Sequence, residues 1–289
     1  MEIKLIAMDM DGTLLDSQSR ITTKTREALL EAQKQGIRLV LASGRNYLGL
    51  VESARELKMK EYGGFFLGVN GQQITNLKTG ETQYIARISI PLAKKVLAYA
   101  VANDLEFFAV LNDTLYNYFS PQLKKKKLEY AKEHHLPQEH LTASVFSFVK
   151  KQNYEHIYYI EGKPEDIVVE ANKLVFAQEP EILQKHIPAL QRLFGSDLEM
   201  GRTSPRWLEF TPKGINKGSS LQAVMKQEKI KKEEVIAFGD GENDLAMLQA
   251  AGLGIAMSNA MEPLRQAADY ITLSNDEDGI ALALEKYLD

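Results

Sequence analysis

The chain has 289 residues, 44% of them hydrophobic and 26% charged, which is enough for one large or two smaller globular domains. Its net charge of −4 gives no indication of a nucleic-acid-binding surface. The lack of cysteine excludes disulfide bridges, thiolate metal sites and a cysteine nucleophile. The start has no signal-peptide pattern, and no apolar run reaches the roughly 18 residues that span a membrane. We therefore expect a cytoplasmic protein with no membrane anchor and no obligate protein partner.

The two ends of the chain alternate between apolar strands and amphipathic helices. Strands are predicted at residues 4–10, 37–43, 63–71, 233–240, 252–257 and 269–273. Helices are predicted at residues 22–36, 44–59, 242–251, 259–268 and 278–288. This alternation predicts an α/β fold with a mostly parallel, doubly wound sheet that is covered by helices on both faces.

Local signals set the ends and the faces of two of these helices. Thr22 or Thr23 is the expected N-cap of the first helix, and Gly36 is its expected C-terminal stop. For the last helix, the predicted buried stripe consists of Ile280, Leu282, Ala283 and Leu284.

The middle of the chain differs in composition from the two ends, because it holds all the histidines and most of the tyrosines. Its candidate strands, at 155–162 and 206–212, alternate more and are richer in aromatic and β-branched residues. We interpret residues 85–209 as a separate α+β domain, inserted into an α/β domain made of residues 1–84 and 210–289.

Two charged or polar clusters in this insertion have plain structural interpretations. The lysine run at 124–127 is predicted to be the solvated face of a helix rather than a functional patch. His134, His135 and His140 are predicted to lie on a wet surface helix rather than in a metal site, given the Lys and Glu residues around them.

Two aspartates follow the first apolar run, with Asp9 and Asp11 two residues apart in "DMDGT". Side chains at positions i and i+2 of an extended segment lie on one face, so the two carboxylates would repel each other. Such a pair needs a cation, a shared proton or open solvent. An Asp-Gly turn in solvent is the alternative that this segment alone leaves open.

Four short stretches carry residue types that suit phosphate chemistry. They are "DMDGT" (9–13), "LASGR" (41–45), "KGINKG" (213–218) and "FGDGEND" (238–244). Three of them follow apolar strands directly, and the fourth opens a helix. Because ligands of an open parallel α/β sheet bind beyond the carboxyl ends of its strands, we expect all four to line that edge.

The groups that these stretches offer fit a hard cation and a phosphate. Carboxylates suit Mg²⁺, which is bound by one or two of them together with substrate phosphate. Ser43 and the amides that follow it suit phosphate oxygens, and Lys217 supplies a point charge. Taken singly, Ser43 could be a helix N-cap, Lys217 an exposed lysine and "GDGEND" an acidic turn. The joint order of all four stretches favours one common site.

Two other catalytic motifs do not occur in the sequence. Without "GxxxxGK[ST]" there is no indication of ATP binding, and without "GxSxG" there is no serine nucleophile elbow. A carboxylate remains as the nucleophile, which is a known route to an aspartyl-phosphate.

"DMDGT", "SGR", "NKG" and "GDGEND", in this order, resemble the four motifs of the haloacid dehalogenase superfamily of phosphohydrolases. "VNG" (69–71), "GIAMSNA" (254–260) and "NDEDGIALAL" (275–284) look like its Cof-type subfamily. The sequence departs from the family pattern at Gln72, where alanine is more usual, and we expect Gln72 to lie behind the site. It has Glu242 at a position that we expect to vary within the family. The resemblance implies a Rossmann-like core with a large cap domain inserted between the second and third motifs.

The resemblance also implies roles for single residues. Asp9 would be the nucleophile and a Mg²⁺ ligand. Asp11 would be the general acid and base, with its backbone carbonyl on Mg²⁺. Asp240 would bind Mg²⁺, and Asp244 would support that metal site. The phosphate- or substrate-binding residues would be Ser43, Gly44, Lys217, Asn243, Gly12 and Arg45, with Asn70 as a further loop contact.

The activity implied in this way is that of a Mg²⁺-dependent phosphatase of small phosphorylated metabolites, above all sugar phosphates. The cap would close over the site and select the substrate, with Arg202, Ser204 and Arg206 as candidate contacts and Trp207 in the cap core. A phosphomutase of the same superfamily is one alternative. A phospho-accepting signalling or sugar-phosphate-sensing protein without turnover is another, although Asp11 and the long insertion argue against it.

Overall fold

The computed structural model describes residues 2–45, 47–112, 114–133, 135 and 156–288. The chain forms two compact units. Unit 1 consists of Met1–Ile85 and Ile215–Asp289, and unit 2 consists of Ala86–Gly214. Among the described residues, no helix is both long and apolar enough to cross a membrane.

Unit 1 is built on an eight-stranded sheet with the order β14-β13-β12-β1-β2-β3-β4-β5. Its strands are β1 (Leu5–Met8), β2 (Arg38–Ala42), β3 (Phe65–Gly68), β4 (Gln73–Asn76), β5 (Thr82–Tyr84), β12 (Val235–Gly239), β13 (Leu253–Ala256) and β14 (Tyr270–Ile271). The strands from β14 to β3 run parallel, and β4 and β5 are added antiparallel. The order of connection reverses beside β1, which pairs with β2 on one side and β12 on the other.

Alternating side chains of this sheet enter two separate cores. Ile6 and Met8 of β1 pack on one face, while Leu5 and Ala7 pack on the other. The helices that cover the sheet are α1 (Thr23–Lys34), α2 (Val51–Glu56), α3 (Met59–Tyr62), α7 (Lys217–Glu228), α8 (Leu245–Ala250), α9 (Glu262–Ala267) and α10 (Gly279–Tyr287). The predicted doubly wound α/β fold is confirmed.

The ends of α1 follow the sequence signals, because Thr22 is the N-cap and its side chain accepts a hydrogen bond from the Thr25 amide. The predicted stripe of α10 is wrong at one position. Ile280, Ala283 and Leu284 are buried, but Leu282 is 41% exposed, since the buried positions follow the i, i+3, i+4 spacing of a helix face.

The single helix predicted at 44–59 is also wrong, because the chain forms a 3₁₀ turn at Tyr47–Gly49 before α2 and α3. Lys58 interrupts the regular helix between α2 and α3 with a left-handed backbone, φ 54°. The residues after Ser43 therefore form a loop and not the first turn of a long helix.

Unit 2 contains a six-stranded sheet with the order β10-β11-β9-β6-β7-β8. Its strands are β6 (Glu106–Val110), β7 (Thr114–Tyr118), β8 (His156–Tyr159), β9 (Lys173–Ala177), β10 (Leu198–Ser204) and β11 (Trp207–Pro212). Its helices include α4 (Ile90–Ala102), α5 (Pro121–Glu133) and α6 (Pro180–Phe194). Since β11 pairs with β9 and β10, residues 210–212, which the sequence pattern assigns to the core domain, belong to the sheet of unit 2.

Trp207 is half-buried, and its ring lies against Phe108 with 5.0 Å between the ring centroids. Its indole Nε1 donates to Glu209 Oε1 at 3.0 Å. Trp207 thus packs at the margin of an apolar cluster of unit 2. His134 and His140 lie outside the described residues, and His135 is exposed.

The prediction of a solvated lysine run is wrong for Lys127, which is only 2% exposed. Its ammonium group contacts Glu106 Oε1 and lies 4.3 Å from the centroid of the Phe119 ring. Asn117 Nδ2 donates to the same carboxylate oxygen at 3.1 Å. Burial raises the pKa of Glu106 to about 7 although Lys127 opposes this, and burial lowers the pKa of Lys127.

We expect Lys127→Met to lower the free energy of unfolding by about 3–5 kcal/mol at neutral pH, because it leaves the Glu106 carboxylate buried without its partner. In the variant the folded chain keeps a proton on Glu106 that the unfolded chain releases at the ordinary glutamate pKa of 4.5. Stability should therefore fall as the pH rises from about 5 through 7.

Urea unfolding followed by tryptophan fluorescence tests this, since Trp207 is the only tryptophan and lies in unit 2. Lys125→Met is the matched control, because the Lys125 side chain is 79% exposed. Equal stability of the two variants would contradict the structural role of the Lys127–Glu106 pair.

Candidate active site

The carboxyl ends of β1, β2 and β12 place three polar side chains at one edge of the unit 1 sheet. Asp9, Ser43 and Asp240 each directly follow the last residue of one of these strands. Lys217 is the first residue of α7, and Asn216 caps that helix. Carboxylate oxygens of Asp9, Asp240 and Asp244 lie within 4.8 Å of one another. The expectation that these stretches meet at one sheet edge therefore agrees with the geometry.

Lys217 lies between two of these carboxylates and has no exposed surface. Its Nζ donates to Asp9 Oδ1 at 2.5 Å and to Asp244 Oδ1 at 2.6 Å. Burial on its own lowers the pKa of Lys217, but attraction by the two aspartates outweighs burial, so the pKa is raised. The ammonium group is therefore a fixed positive charge beside Asp9, and the alternative of an exposed lysine is wrong.

Asp244 is hydrogen-bonded on both of its oxygens. Its Oδ2 accepts from the backbone amides of Asp240 at 3.1 Å and Gly241 at 3.0 Å, while Oδ1 accepts from Lys217. Asp244 thereby fixes both the loop that carries Asp240 and the ammonium group of Lys217. Within "GDGEND", Asp244 is a buried structural element of the site, while Glu242 and Asn243 are exposed, so the stretch is more than an acidic turn in solvent.

Among the described residues, no side chain donates a hydrogen bond to Asp9 Oδ2 or Asp240 Oδ2, so both oxygens can take a further ligand. Asp240 Oδ1 accepts from Thr13 Oγ1 at 2.8 Å, and burial raises the pKa of Asp240. Burial also raises the pKa of Asp9 to about 7, in spite of the opposing charge of Lys217. The possible metal ligands of Asp9, Asp240 and Asp244 are all carboxylate oxygens, and three carboxylates outnumber the single Lys217 charge. This group therefore fits a hard divalent cation such as Mg²⁺.

In an extended segment, the side chains of Asp9 and Asp11 would lie on the same face. The structure differs, because the segment is not extended as far as Asp11. Strand β1 ends at Met8, and the chain turns before Asp11, whose side chain is 60% exposed. Arg45 Nε donates to Asp11 Oδ2 at 2.9 Å, and Arg45 Nη2 contacts Asp11 Oδ1. The side-chain carboxylate of Asp11 is paired with Arg45 and is not part of the three-aspartate group.

Gly12 lets the backbone come close to another site residue, and Gly44 lies beside Asn70. Gly12 has φ +82°, and a Cβ atom there would lie 2.5 Å from Asp240 Oδ2. At Gly44 an added Cβ would meet the Asn70 side chain at 3.4 Å. Asn243 Nδ2 donates to Asn70 Oδ1 at 3.3 Å, so these loops meet above the sheet edge.

Ser43 is buried, and its Oγ accepts from the Arg45 amide at 3.1 Å. The backbone amide of Asn70 donates to the Ser43 carbonyl at 2.9 Å. Ser43 is therefore fixed by neighbouring loops and is not the N-cap of a following α-helix, the alternative noted above. Gln72 is also buried.

The sequence pattern predicts no role for Asn259 and Asn275, which support the loop after β1. Asn259 Nδ2 donates to the Gly12 carbonyl at 2.8 Å, and Asn275 Nδ2 donates to the Leu15 carbonyl at 2.7 Å. The Asn275 amide in turn donates to Asn259 Oδ1 at 3.2 Å. Asn259 lies in "GIAMSNA" and Asn275 in "NDEDGIALAL", two stretches that carry the resemblance to the family. The resemblance does not indicate that these side chains hold the loop after β1.

The candidate cap contacts all belong to unit 2. Arg202 Nη2 donates to the Pro180 carbonyl at 3.3 Å, and Arg206 Nε donates to Glu179 Oε2 at 3.1 Å. The side chain of Ser204 lies outside the described part of the structure. Both arginines thus contact the residues where α6 begins.

Residues 6–284 match the family model of the haloacid dehalogenase-like hydrolases. The 5-amino-6-(5-phospho-D-ribitylamino)uracil phosphatase YcsE of Bacillus subtilis is 29% identical, covering 99% of this chain and 96% of its own. A crystal structure of a haloacid dehalogenase-like hydrolase from Bacteroides thetaiotaomicron is 36% identical, with a TM-score of 0.76 and 99% of each chain covered. The structure of the HAD subclass IIB sugar phosphatase BT4131 is 25% identical, with a TM-score of 0.72 and 98% of each chain covered.

We expect Gly12→Ala to lower the free energy of unfolding and to weaken divalent-cation binding at the three aspartates, because its new methyl group would displace the Asp240 carboxylate. Gly36→Ala is the matched control. Gly36 also has a positive φ, +93°, but an added Cβ there meets nothing within 4 Å. Both variants carry the left-handed backbone cost of about 1–2 kcal/mol.

Thermal unfolding with and without Mg²⁺ separates the two effects, since a bound ligand stabilises the folded state by mass action. The Mg²⁺-induced rise in Tm should be reduced in Gly12→Ala and kept in Gly36→Ala. An equal rise in both variants would contradict a metal site that includes Asp240.

Proposed function

Since the chain belongs to the haloacid dehalogenase-like hydrolase family, we propose that it is a Mg²⁺-dependent phosphatase of small phosphorylated metabolites, above all sugar phosphates. The observation that carries this proposal is the buried Asp9 carboxylate, held by Lys217 and grouped with Asp240 and Asp244. A carboxylate in such a group suits attack on a phosphorus atom that a cation and a lysine make more electrophilic.

In the first half of the proposed reaction, an Asp9 carboxylate oxygen attacks phosphorus in line with the ester oxygen that leaves. The P–O bond to the organic group breaks, and Asp11 gives its proton to the leaving oxygen, so the alcohol departs. An aspartyl-phosphate remains on Asp9. Lys217 balances negative charge on the phosphoryl oxygens, and a bound Mg²⁺ would supply further charge neutralisation there.

In the second half, a water molecule attacks the same phosphorus atom. Asp11, now a carboxylate, takes the proton of that water, the P–O bond to Asp9 breaks, and inorganic phosphate is released. We assign phosphate binding to the amides and side chains of the loops that carry Gly12, Ser43, Gly44 and Asn243. Asp9, Asp240 and the Asp11 carbonyl are the proposed Mg²⁺ ligands, with Asp244 as their support.

Support for a sugar phosphate or a related polyol phosphate comes from the relatives. One acts on a phosphorylated ribitylamino-uracil and another is a sugar phosphatase, by their names. We propose that residues of unit 2 choose among such substrates, with Arg202 and Arg206 as the first residues to test. A mutase would return the phosphoryl group to another hydroxyl, and a sensor would keep it, so release of free phosphate distinguishes the three.

We expect wild-type protein to release phosphate with Mg²⁺ and not with EDTA. The panel should hold hexose, pentose and tetrose phosphates, nucleotides, pyridoxal phosphate, thiamine-precursor phosphates and an aryl phosphate. Asp9→Asn keeps the shape but removes the nucleophile, so its kcat should fall by about a thousandfold or more.

Asp197→Asn is the control, because Asp197 is exposed and bonded to Ser196. Normal release by Asp9→Asn would disprove the nucleophile assignment. If wild type releases no phosphate from any compound, the phosphatase proposal fails, and mass spectrometry for a stable phosphate on the protein then tests the sensor alternative.

A second variant, Asp11→Asn, should slow turnover more than it weakens phosphate binding, because it loses the proton donor and acceptor but keeps the backbone. We expect the aspartyl-phosphate to accumulate, which rapid acid quench with radiolabelled substrate would detect. Wild-type rates in Asp11→Asn would show that Asp11 is not the general acid and base.

A further inference from the structure

We propose that Asn259 is a positioning residue for the divalent-cation site, and that it acts on Asp240 through the peptide group between Gly12 and Thr13. This inference deepens the phosphatase proposal and rests on its metal site. Its basis is a turn at residues 257–261, which is hydrogen-bonded both to the loop after β1 and to the end of β12.

The bonds from this turn to the end of β12 are made by its backbone. The Met257 amide donates to the Gly239 carbonyl at 3.0 Å, and the Met261 amide donates to the Asp240 carbonyl at 2.8 Å. The Ala260 amide closes the turn by donating to the Met257 carbonyl at 3.0 Å. The turn is therefore fixed directly beside the backbone of Asp240.

The bond from the turn to the loop after β1 is made by the Asn259 side chain. Its Nδ2 donates to the Gly12 carbonyl at 2.8 Å, and its Oδ1 accepts from the Asn275 amide at 3.2 Å. Because a backbone donor holds Oδ1, the carboxamide is oriented with Nδ2 toward Gly12. Asn259 thus joins the loop of the proposed nucleophile to the segment that carries Asp240.

The peptide group that Asn259 holds determines how the Asp240 carboxylate lies. It leads from Gly12 into Thr13, whose Oγ1 donates to Asp240 Oδ1 at 2.8 Å. Asp240 Oδ2 is the oxygen left for a cation, and a Cβ atom on Gly12 would lie 2.5 Å from it. A shift of this peptide group would therefore loosen the bond to Oδ1 and change the space at Oδ2.

Residues that hold a metal-binding carboxylate from behind affect metal affinity, and their loss costs about 10–100-fold. Thr13 is such a residue for Asp240, and Asn259 lies one step further out. We expect Thr13→Val to weaken Mg²⁺ binding by about 10–100-fold and Asn259→Ala by about tenfold. Since Asn259 is exposed, its replacement by alanine leaves no cavity in the core.

Thermal unfolding at increasing MgCl2 and constant ionic strength measures the apparent Kd for Mg²⁺ without any turnover. Asn259→Ala should raise this Kd, and the double variant with Thr13→Val should lose less than the product of the two single losses. Asn103→Ala is the matched control. Asn103 is also exposed and also donates from Nδ2 to a backbone carbonyl, that of Tyr99 at 2.8 Å, but in unit 2. Its Kd should equal that of wild type.

Hydrolysis of p-nitrophenyl phosphate gives a second, independent readout. Asn259→Ala should need more Mg²⁺ than wild type to reach half of its maximal rate. Saturating Mg²⁺ should restore its kcat, and KM for the ester should then equal that of wild type, because the change affects the metal and not the contact with substrate.

Three results would overturn the positioning role of Asn259. If Asn259→Ala lowers Tm but keeps the wild-type Kd for Mg²⁺, its bond to Gly12 only stabilises the fold. If the Kd is unchanged and KM for the ester rises at saturating Mg²⁺, Asn259 acts on the substrate. If the losses in the double variant multiply, Asn259 does not act through Thr13.

The same titration separates this inference from the proposed function. A wild-type protein whose Tm does not respond to Mg²⁺ would overturn the metal site, and with it both the proposed function and the role of Asn259. A wild-type response that Asn259→Ala fully retains would overturn the role of Asn259 alone.

Discussion

The burial of the Lys217 ammonium group between Asp9 and Asp244 is the constraint on which the candidate active site of unit 1 depends. A lysine without exposed surface is stable only when its hydrogen bonds and charge are matched. Lys217 satisfies this with two carboxylates, and Asp240 adds a third carboxylate nearby. The excess negative charge makes a divalent cation a natural complement. The same lysine thus joins two segments of the fold and supplies the positive charge that the proposed phosphate site requires.

Bringing these groups together requires close approach of segments that are distant in the chain. Asp9 follows β1, Asp244 follows β12, and Lys217 begins α7, which packs against α8. Gly218 permits that packing, because a Cβ atom there would lie 2.2 Å from the Ala246 carbonyl oxygen. The glycine in "NKG" is therefore explained by helix packing, whereas the lysine before it is explained by charge.

The sequence was sufficient to predict the α/β fold and the meeting of four stretches at one sheet edge, because strand periodicity and strand-end position decide both. It failed where a tertiary partner overrides local pattern. Lys127 is predicted to be solvated, because it lies beside three other lysines in the sequence. In the structure it is buried and paired with Glu106, 21 positions earlier in the chain. The sequence predicts that Asp11 lies on the same face as Asp9 of an extended segment, but its carboxylate is paired with Arg45. Asn259 has no recognisable chemistry until the backbone carbonyl that it supports is seen.

The contacts that brace the loop after β1 come from the far end of the chain: Asn259, Asn275 and Asp278 bond to Gly12, Leu15 and Thr22. During synthesis on the ribosome, the loop with the proposed nucleophile therefore emerges well before residues 259–278, which brace it. Unit 2 is continuous in sequence and can fold while residues 215–289 are still being made. A nascent chain that ends before residue 259 should thus contain a finished insertion and an unfinished candidate active site, which delays any activity until residues 259–278 have been made.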